Sequence, residues 1–167
     1  MTYEVKRNYL EITSIHDLKE NKKIYKDFTI TLLDPVDFQL NKFFYKNIGK
    51  NYKWVDRLVW SETKWIDYVS NKNVKTFILK NKNDLAGFFE SIFHIEKNEI
   101  EIAYFGVLEE YQNKKLGSYL LSEAIKKSFE NNIKRVWLHT CSTDHKNALN
   151  NYIARGMKIF KSETVVI

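Results

Sequence analysis

The sequence predicts an α/β (α+β) domain with a central mixed, twisted sheet of about six to seven strands and helices on both faces. Segments rich in β-branched and aromatic residues alternate with amphipathic helical segments. Three strand segments between residues 76 and 107 follow one another through short turns, which is typical of an antiparallel meander. Residues 101–141 then form a strand–helix–strand unit, whose two strands must be parallel. Helices interleaved with a meander therefore predict a mixed sheet covered on both faces.

The first third of the chain contains two predicted strands. Residues 3–13 alternate enough to form a strand, and residues 14–21 are expected to form a short helix or polar turn. We treat residues 1–24 as an N-terminal extension. Residues 28–33 form a clearer strand, which ends at Asp34-Pro35 because proline cannot continue a β-ladder.

Two helices are predicted next, joined by a loop dense in aromatic residues. Asp37 caps the first helix, whose apolar residues lie mostly on one face, and Gly49 ends it. The loop spans residues 51–60. Ser61 caps the second helix, which runs to about Asn71.

The rest of the chain alternates strands and helices. Strands are predicted at Thr76–Lys80, Ala86–Ile95, Glu99–Val107, Arg135–Cys141 and 157–166. A long amphipathic helix begins near Leu116. A shorter helix runs from His145 to Arg155, with Thr143 or Asp144 as its cap and Gly156 at its end. No internal repeat or flexible linker interrupts residues 1–167, so we expect a single domain.

Composition narrows the choice of partners and compartment. Hydrophobic residues make up 44% of the chain, which is typical of a globular protein. A net charge of +6 favours nucleotides or nucleic acid, although dispersed lysines are also typical of a plain solvated surface. One cysteine, Cys141, excludes an internal disulfide and fits a reducing compartment. Because the chain has no apolar run of membrane-spanning length and no signal-peptide core, we expect a cytoplasmic protein without membrane contact.

The loop from Glu110 to Gly117 is the strongest candidate for ligand binding. It joins a strand to the long helix, so unpaired N–H groups and the positive end of the helix dipole meet there. That arrangement binds phosphate, and Lys114 and Lys115 would strengthen it. The alternative is a basic strand-to-helix loop that binds no ligand.

This loop contains one recognisable sequence motif, and a second motif follows later in the chain. Gln112 and Gly117 match the first and last positions of Gln/Arg-x-x-Gly-x-Gly/Ala. Asn147, Tyr152 and Gly156 match a second motif, Asn-x-x-Ala-x-x-x-Tyr-x-x-x-Gly-Phe, in shifted form. With this element order, residues 28–160 resemble the GNAT superfamily of acetyl-CoA-dependent N-acetyltransferases. Lys115 stands where that family usually has glycine.

The resemblance implies a site for acetyl-CoA as acyl donor. The pyrophosphate would lie on the loop and the first helical turn, and the pantetheine arm would pair with the preceding strand like an added strand. Asn147 would bind the pantetheine or phosphate end. The implied cofactor-binding residues are Phe105, Gly106, Val107, Gln112, Asn113, Lys114, Lys115, Leu116, Gly117, Ser118 and Asn147.

The resemblance also implies transfer of the acetyl group to a primary amine by direct attack in a ternary complex. A base must then deprotonate the amine, and Glu101 matches the family position of that base. Tyr152 matches the acid that protonates the leaving thiolate. His139 is a second candidate for base or substrate contact. The structural alternatives are a solvating strand-edge charge for Glu101, helix packing for Tyr152 and a satisfied core residue for His139.

Acceptor contacts are expected from the loop between the first two helices. Aromatic rings with a carboxylate could hold a cationic amine, whereas Arg57 could meet a substrate carboxylate. Plain packing of the tryptophans is equally compatible with the sequence. The candidate residues are Trp54, Asp56, Arg57 and Trp60.

The sequence leaves several functional questions open. The acceptor is a small-molecule or peptide amine, and the protein is a monomer or homodimer. A non-catalytic acyl-CoA-binding module with the same fold is the main alternative. Nucleic-acid binding is disfavoured because no recognition helix or aromatic–basic platform is recognisable. No metal is expected, because His139, Cys141, Asp144 and His145 lack paired ligand spacing.

Overall fold

The computed structural model describes all 167 residues, in seven strands, four α-helices and two short 3₁₀ turns. The strands are β1 Glu4–Ile12, β2 Phe28–Leu32, β3 Val74–Asn81, β4 Asp84–His94, β5 Glu99–Val107, β6 Arg135–Cys141 and β7 Lys158–Val166. The helices are α1 Phe38–Gly49, α2 Glu62–Ser70, α3 Leu116–Phe129 and α4 Ala148–Ala154. The longest helix, α3, has 14 residues, and no helix meets the length and hydropathy needed to span a membrane.

All seven strands form one sheet in the order β2-β3-β4-β5-β6-β1-β7. Neighbouring strands are antiparallel except β5 and β6, which are parallel. Residues 4–12 therefore form an interior strand, since β1 pairs with β6 on one side and with β7 on the other. The predicted mixed sheet of six to seven strands is confirmed.

Helices cover both faces, as predicted. The larger core lies under α3, whose side chains at Leu120, Leu121 and Ile125 have no exposed surface. A smaller core on the opposite face packs Phe44 of α1 on Phe88 of β4, with parallel rings 5.0 Å apart. Apolar burial on this scale is the main stabilising contribution to the fold.

Most predicted element bounds lie within two residues of the observed ones. Asp37 and Ser61 cap α1 and α2 as predicted, accepting hydrogen bonds from the N–H groups of Gln39 and Lys64. Helix α1 ends at Gly49, but not through a left-handed backbone: a Cβ there would collide with the Trp54 side chain, so the glycine makes room for that ring.

The start of α4 was predicted wrongly. The helix begins at Ala148, and its cap residue is Asn147, whose side chain makes no capping hydrogen bond. Asp144, one of the two predicted caps, instead accepts hydrogen bonds from the Thr140 hydroxyl at 2.6 Å and the Cys141 N–H at 2.9 Å. Its carboxylate therefore stabilises the turn after β6 and does not cap α4. At the other end, Gly156 follows α4 with φ +102°, as a helix-ending glycine should.

Strands β5 and β6 diverge along their length. They pair only from Glu99 to Glu101, while β5 continues to Val107. A β-bulge at Ala103, opposite the step from Glu90 to Ser91, bends β5 where the separation begins. The resulting gap positions the site described next.

Candidate active site

The gap between β5 and β6 opens into a cleft of about 1070 Å³. Its walls come from β5, β6, the α1–α2 loop, the loop before α3, and α4. The cleft brings together all but one of the candidate site residues. They are Trp54, Asp56, Arg57, Trp60, Glu101, Phe105, Gly106, Val107, Gln112, Asn113, Lys115, Leu116, Gly117, Ser118, His139, Asn147 and Tyr152. The exception is Lys114, whose ammonium lies 5.4 Å from the ring centre of Tyr111.

The loop before α3 presents free backbone N–H groups. Those of Asn113, Lys114 and Lys115 donate to no backbone or side-chain acceptor, and the helix cap makes no side-chain hydrogen bond. Lys115 takes a left-handed backbone, φ 59° and ψ 20°, so lysine adopts the conformation that glycine reaches more easily. These amides and the positive end of α3 can hold an anion.

A segment distant in sequence fixes this loop from behind. The Asn21 side chain donates to the Lys115 carbonyl at 3.3 Å and to the Ser118 hydroxyl at 2.8 Å. The Tyr25 hydroxyl donates to the Lys114 carbonyl at 3.0 Å. A left-handed non-glycine residue costs roughly 1–2 kcal/mol, and these hydrogen bonds help to offset it. No sequence signal links Asn21 or Tyr25 to a loop about 90 residues away.

The cleft-facing edge of β5 has no strand partner beyond Glu101. Phe105, Gly106 and Val107 pair with β4 on the other edge. A Cβ on Gly106 would lie 2.9 Å from the Ile48 side chain, so glycine allows α1 to pack closely there. An extended ligand can add to this free edge through backbone hydrogen bonds.

The three candidate catalytic side chains lie in different environments. Tyr152 is buried, its ring centre 6.2 Å from that of Phe105, and its hydroxyl has no hydrogen-bond partner. Burial raises the pKa of Tyr152, and the nearby Asp144 carboxylate raises it further. Glu101 is half-buried and lies 2.9 Å from the Nε2 atom of His94.

His139 is reached from the cleft and lies against the Tyr9 ring, 5.5 Å between ring centres. Partial burial of the imidazole lowers its pKa, and the positive charge of Arg7 lowers it further. The ring is therefore neutral at neutral pH and can accept a proton.

The α1–α2 loop contributes two charged side chains with different surroundings. Arg57 is 5% exposed and lies 2.9 Å from Glu90, whose side chain is fully buried. Aromatic rings surround its guanidinium at 4.4–5.7 Å. They belong to Tyr45, Trp60, Trp65, Tyr68 and Tyr104. The aromatic pocket expected for a ligand cation is thus occupied largely by the protein's own cation.

Asp56, by contrast, is exposed and lines the cleft. Its Oδ1 atom accepts hydrogen bonds from the hydroxyls of Tyr45 at 2.9 Å and Tyr104 at 2.7 Å. Burial raises the pKa of Tyr45 to about 12, and burial followed by the Asp56 charge raises the pKa of Tyr104. Both phenols therefore stay protonated and orient the carboxylate.

Sequence reasoning missed Glu90 and the tyrosines of this network. Glu90 accepts hydrogen bonds from Asn41 at 2.8 Å and Tyr68 at 2.7 Å as well as from Arg57. A signal was present: Glu90 interrupts the apolar strand segment LAGFFESIF, where a charge must be paired.

The α1–α2 loop connects the two sides of the cleft. The indole N–H of Trp54 donates to Asp144 at 3.3 Å, and the Tyr52 ring packs edge-on against His145. Tyr52 also accepts a hydrogen bond from the Gln112 side chain at 3.0 Å. No three His, Cys, Asp or Glu side chains are grouped closely enough to hold a metal ion.

Comparison with known proteins gives this arrangement a context. The model of the family described as acetyltransferase (GNAT) family matches residues 38–157. None of the curated proteins matches the sequence significantly. Among solved structures, a GCN5-related N-acetyltransferase from Sphaerobacter thermophilus superposes with TM-score 0.73 at 12% identity, covering 97% of this chain and 50% of the other.

Two further structures have the same fold at low identity. A functionally unknown conserved protein from Staphylococcus epidermidis has TM-score 0.64 and 17% identity, covering 99% of this chain and 62% of the other. An aminoglycoside acetyltransferase from an uncultured soil metagenomic sample has the same score and identity, covering 80% of this chain and 90% of the other. The chain spans only 50–62% of the length of the first two structures.

Proposed function

The chain belongs to the GNAT acetyltransferase family, and on this premise we propose that it transfers an acetyl group from acetyl-CoA to a primary amine by direct attack in a ternary complex. One observation carries the proposal. The free edge of β5, the uncapped start of α3 and the unpartnered Tyr152 hydroxyl all meet in one cleft.

The chain offers a group for each part of the donor. The N–H groups of Asn113 and Lys115, with the first turn of α3, bind the pyrophosphate, and the Lys115 ammonium adds charge. The backbone of Phe105 to Val107 holds the pantetheine arm. Acetyl-CoA would supply a thioester carbonyl, and an amide near Val107 would be the hydrogen-bond donor available to its oxygen.

Glu101 is the proposed base. An alkylamine with a pKa near 10.4 is only about four parts in ten thousand neutral at pH 7, so a carboxylate in the cleft must accept its proton, directly or through water. The contact with His94 fixes the Glu101 side chain. His139 is the competing base, because its lowered pKa keeps the ring neutral.

Thiol release from acetyl-CoA with a panel of primary amines tests this proposal. We expect Glu101→Gln to lower kcat/KM about 100-fold and His139→Gln to lower it less than tenfold. The pH profile sets a limit on His139 as the base. A base works only when unprotonated and the pKa of His139 is lowered, so a loss of rate that already sets in above the ordinary pKa of 6.5 as the pH falls would exclude His139.

Two outcomes would contradict the assignment. A larger loss for His139→Gln than for Glu101→Gln would exchange the two roles. Binding of acetyl-CoA without turnover of any amine would instead favour a non-catalytic acyl-CoA-binding module.

A further inference from the structure

The α1–α2 loop brings to the cleft a carboxylate to which the acetyl-transfer step proposed above assigns no role. Asp56 is exposed to the cleft and has no cation within ion-pair distance. The neighbouring Arg57 does not neutralise it, because its guanidinium is buried against Glu90. The charge of Asp56 is therefore available to a ligand.

The Asp56 carboxylate is also held in one orientation. The hydroxyls of Tyr45 and Tyr104 both donate to Oδ1, whereas Oδ2 accepts no hydrogen bond from the protein. A fixed carboxylate with one free oxygen is a preorganised acceptor for a charged N–H group, and such charge-assisted hydrogen bonds are the strong ones.

Glu101 and the residue that anchors Asp56 lie on the same strand. Tyr104, whose hydroxyl donates to Asp56, is three residues after Glu101 on β5, a backbone separation on the order of 10 Å at a rise of about 3.3 Å per residue. An amine held at Glu101 and a second cation held at Asp56 would thus be joined by a short chain of methylene groups.

The surfaces around these carboxylates favour such a ligand. Trp54 is not among the rings around Arg57; it lines the cleft and packs beside Tyr104, with 4.7 Å between the ring centres. Aromatic faces attract cations and cover a methylene chain. Among the cleft's cations, Arg7 lies on β1, Lys115 belongs to the loop before α3, and the Lys53 ammonium lies 3.5 Å from the ring centre of Tyr3.

We propose that the acceptor is a small dibasic amine, whose reacting amine lies at Glu101 while Asp56 binds its second cationic group. This inference rests on the proposed acetyl transfer to an amine and specifies the class of acceptor. It makes Asp56 a specificity-determining residue, and it predicts that an acceptor with a carboxylate in place of the second amine is rejected.

Three acceptors of matched length test the proposal at one pH and ionic strength. They are 1,4-diaminobutane, 1-aminobutane and 4-aminobutanoate. We expect kcat/KM for the diamine to exceed that for the monoamine at least tenfold, with 4-aminobutanoate the poorest. Asp56→Asn keeps the shape and the hydrogen bonds to both tyrosines, so it should reduce the diamine-to-monoamine ratio to about one. Asp67→Asn removes a carboxylate exposed on α2 and outside the cleft, and it should leave the ratio high.

The possible failures can be told apart. A natural ratio near one, or a ratio that Asp56→Asn does not change, would overturn the dibasic acceptor while acetyl transfer stands. If no amine is acetylated, the proposed acetyl transfer is wrong. Calorimetric titration of the protein with 1,4-diaminobutane then tests the cation site at Asp56 by itself. Binding that Asp56→Asn weakens at least tenfold supports the cation site, and absence of binding overturns it.

Discussion

Replacing Glu90 with glutamine is expected to destabilise the fold by about 3–5 kcal/mol, because it leaves the buried Arg57 guanidinium without a counter-charge. The Glu90 side chain is fully buried and accepts hydrogen bonds from three side chains, so no water can compensate. Urea unfolding of the natural protein and of Glu90→Gln measures the difference in the free energy of unfolding.

A surface pair serves as the matched control. Glu20 pairs with Lys126 at 3.0 Å, and both side chains are about one third or more exposed. Glu20→Gln should therefore cost less than about 1 kcal/mol. In the double variant Arg57→Met/Glu90→Gln the unpaired charge is gone, so its cost should be smaller than that of Glu90→Gln alone. If Glu90→Gln lowered the free energy of unfolding as little as Glu20→Gln does, the buried Arg57–Glu90 pair would not be a main support of the α1–α2 loop.

The second large effect concerns the leaving group. Tyr152→Phe should lower kcat about 100-fold, because the phenol can no longer donate to the departing thiolate. The hydroxyl has no hydrogen-bond partner in the protein, so its removal breaks no hydrogen bond. The affinity for acetyl-CoA and the unfolding free energy should change little. Steady-state kinetics and calorimetry with the same preparation measure both quantities.

Tyr119→Phe is the matched control, since it removes the same atom from a tyrosine of α3 outside the cleft. It should leave kcat within twofold of the natural value. The raised pKa of Tyr152 adds a pH criterion: the phenol stays protonated past its ordinary pKa of 10, so its ionisation causes no loss of kcat as pH rises to 10. An undiminished kcat in Tyr152→Phe would remove this tyrosine from the mechanism.

Local sequence patterns predicted most of the fold, because most helices and strands contain their own capping residues or hydrophobic periodicity. Asp37 and Ser61 cap their helices through contacts two or three residues away, which a sequence window contains. Asp144 failed as a cap because its partners, Thr140 and Cys141, precede it in a turn that a helix pattern does not describe. The place of β1 between β6 and β7 depends on pairing across the whole chain, which no local pattern encodes.

The same distinction applies to the site. The loop from Gln112 to Gly117 is contiguous, so its motif and the helix that follows could be recognised directly. The Arg57–Glu90 pair joins residues 33 apart, and Asn21 contacts Lys115 across 94 residues. Such contacts arise only once the sheet has formed. The sequence therefore suggests Arg57 as a substrate contact, whereas its partner in the structure is Glu90.

Calorimetric titration of acetyl-CoA tests the central claim most directly, with the natural protein compared with Gly117→Trp. A Cβ at Gly117 would lie 3.9 Å from its nearest neighbour, the Asn151 side chain, so the fold should tolerate tryptophan while its ring fills the space for pyrophosphate. We predict a Kd in about the micromolar range for the natural protein and no measurable binding for the variant. Absence of binding to the natural protein, or equal binding to both, would contradict a donor site on the loop before α3.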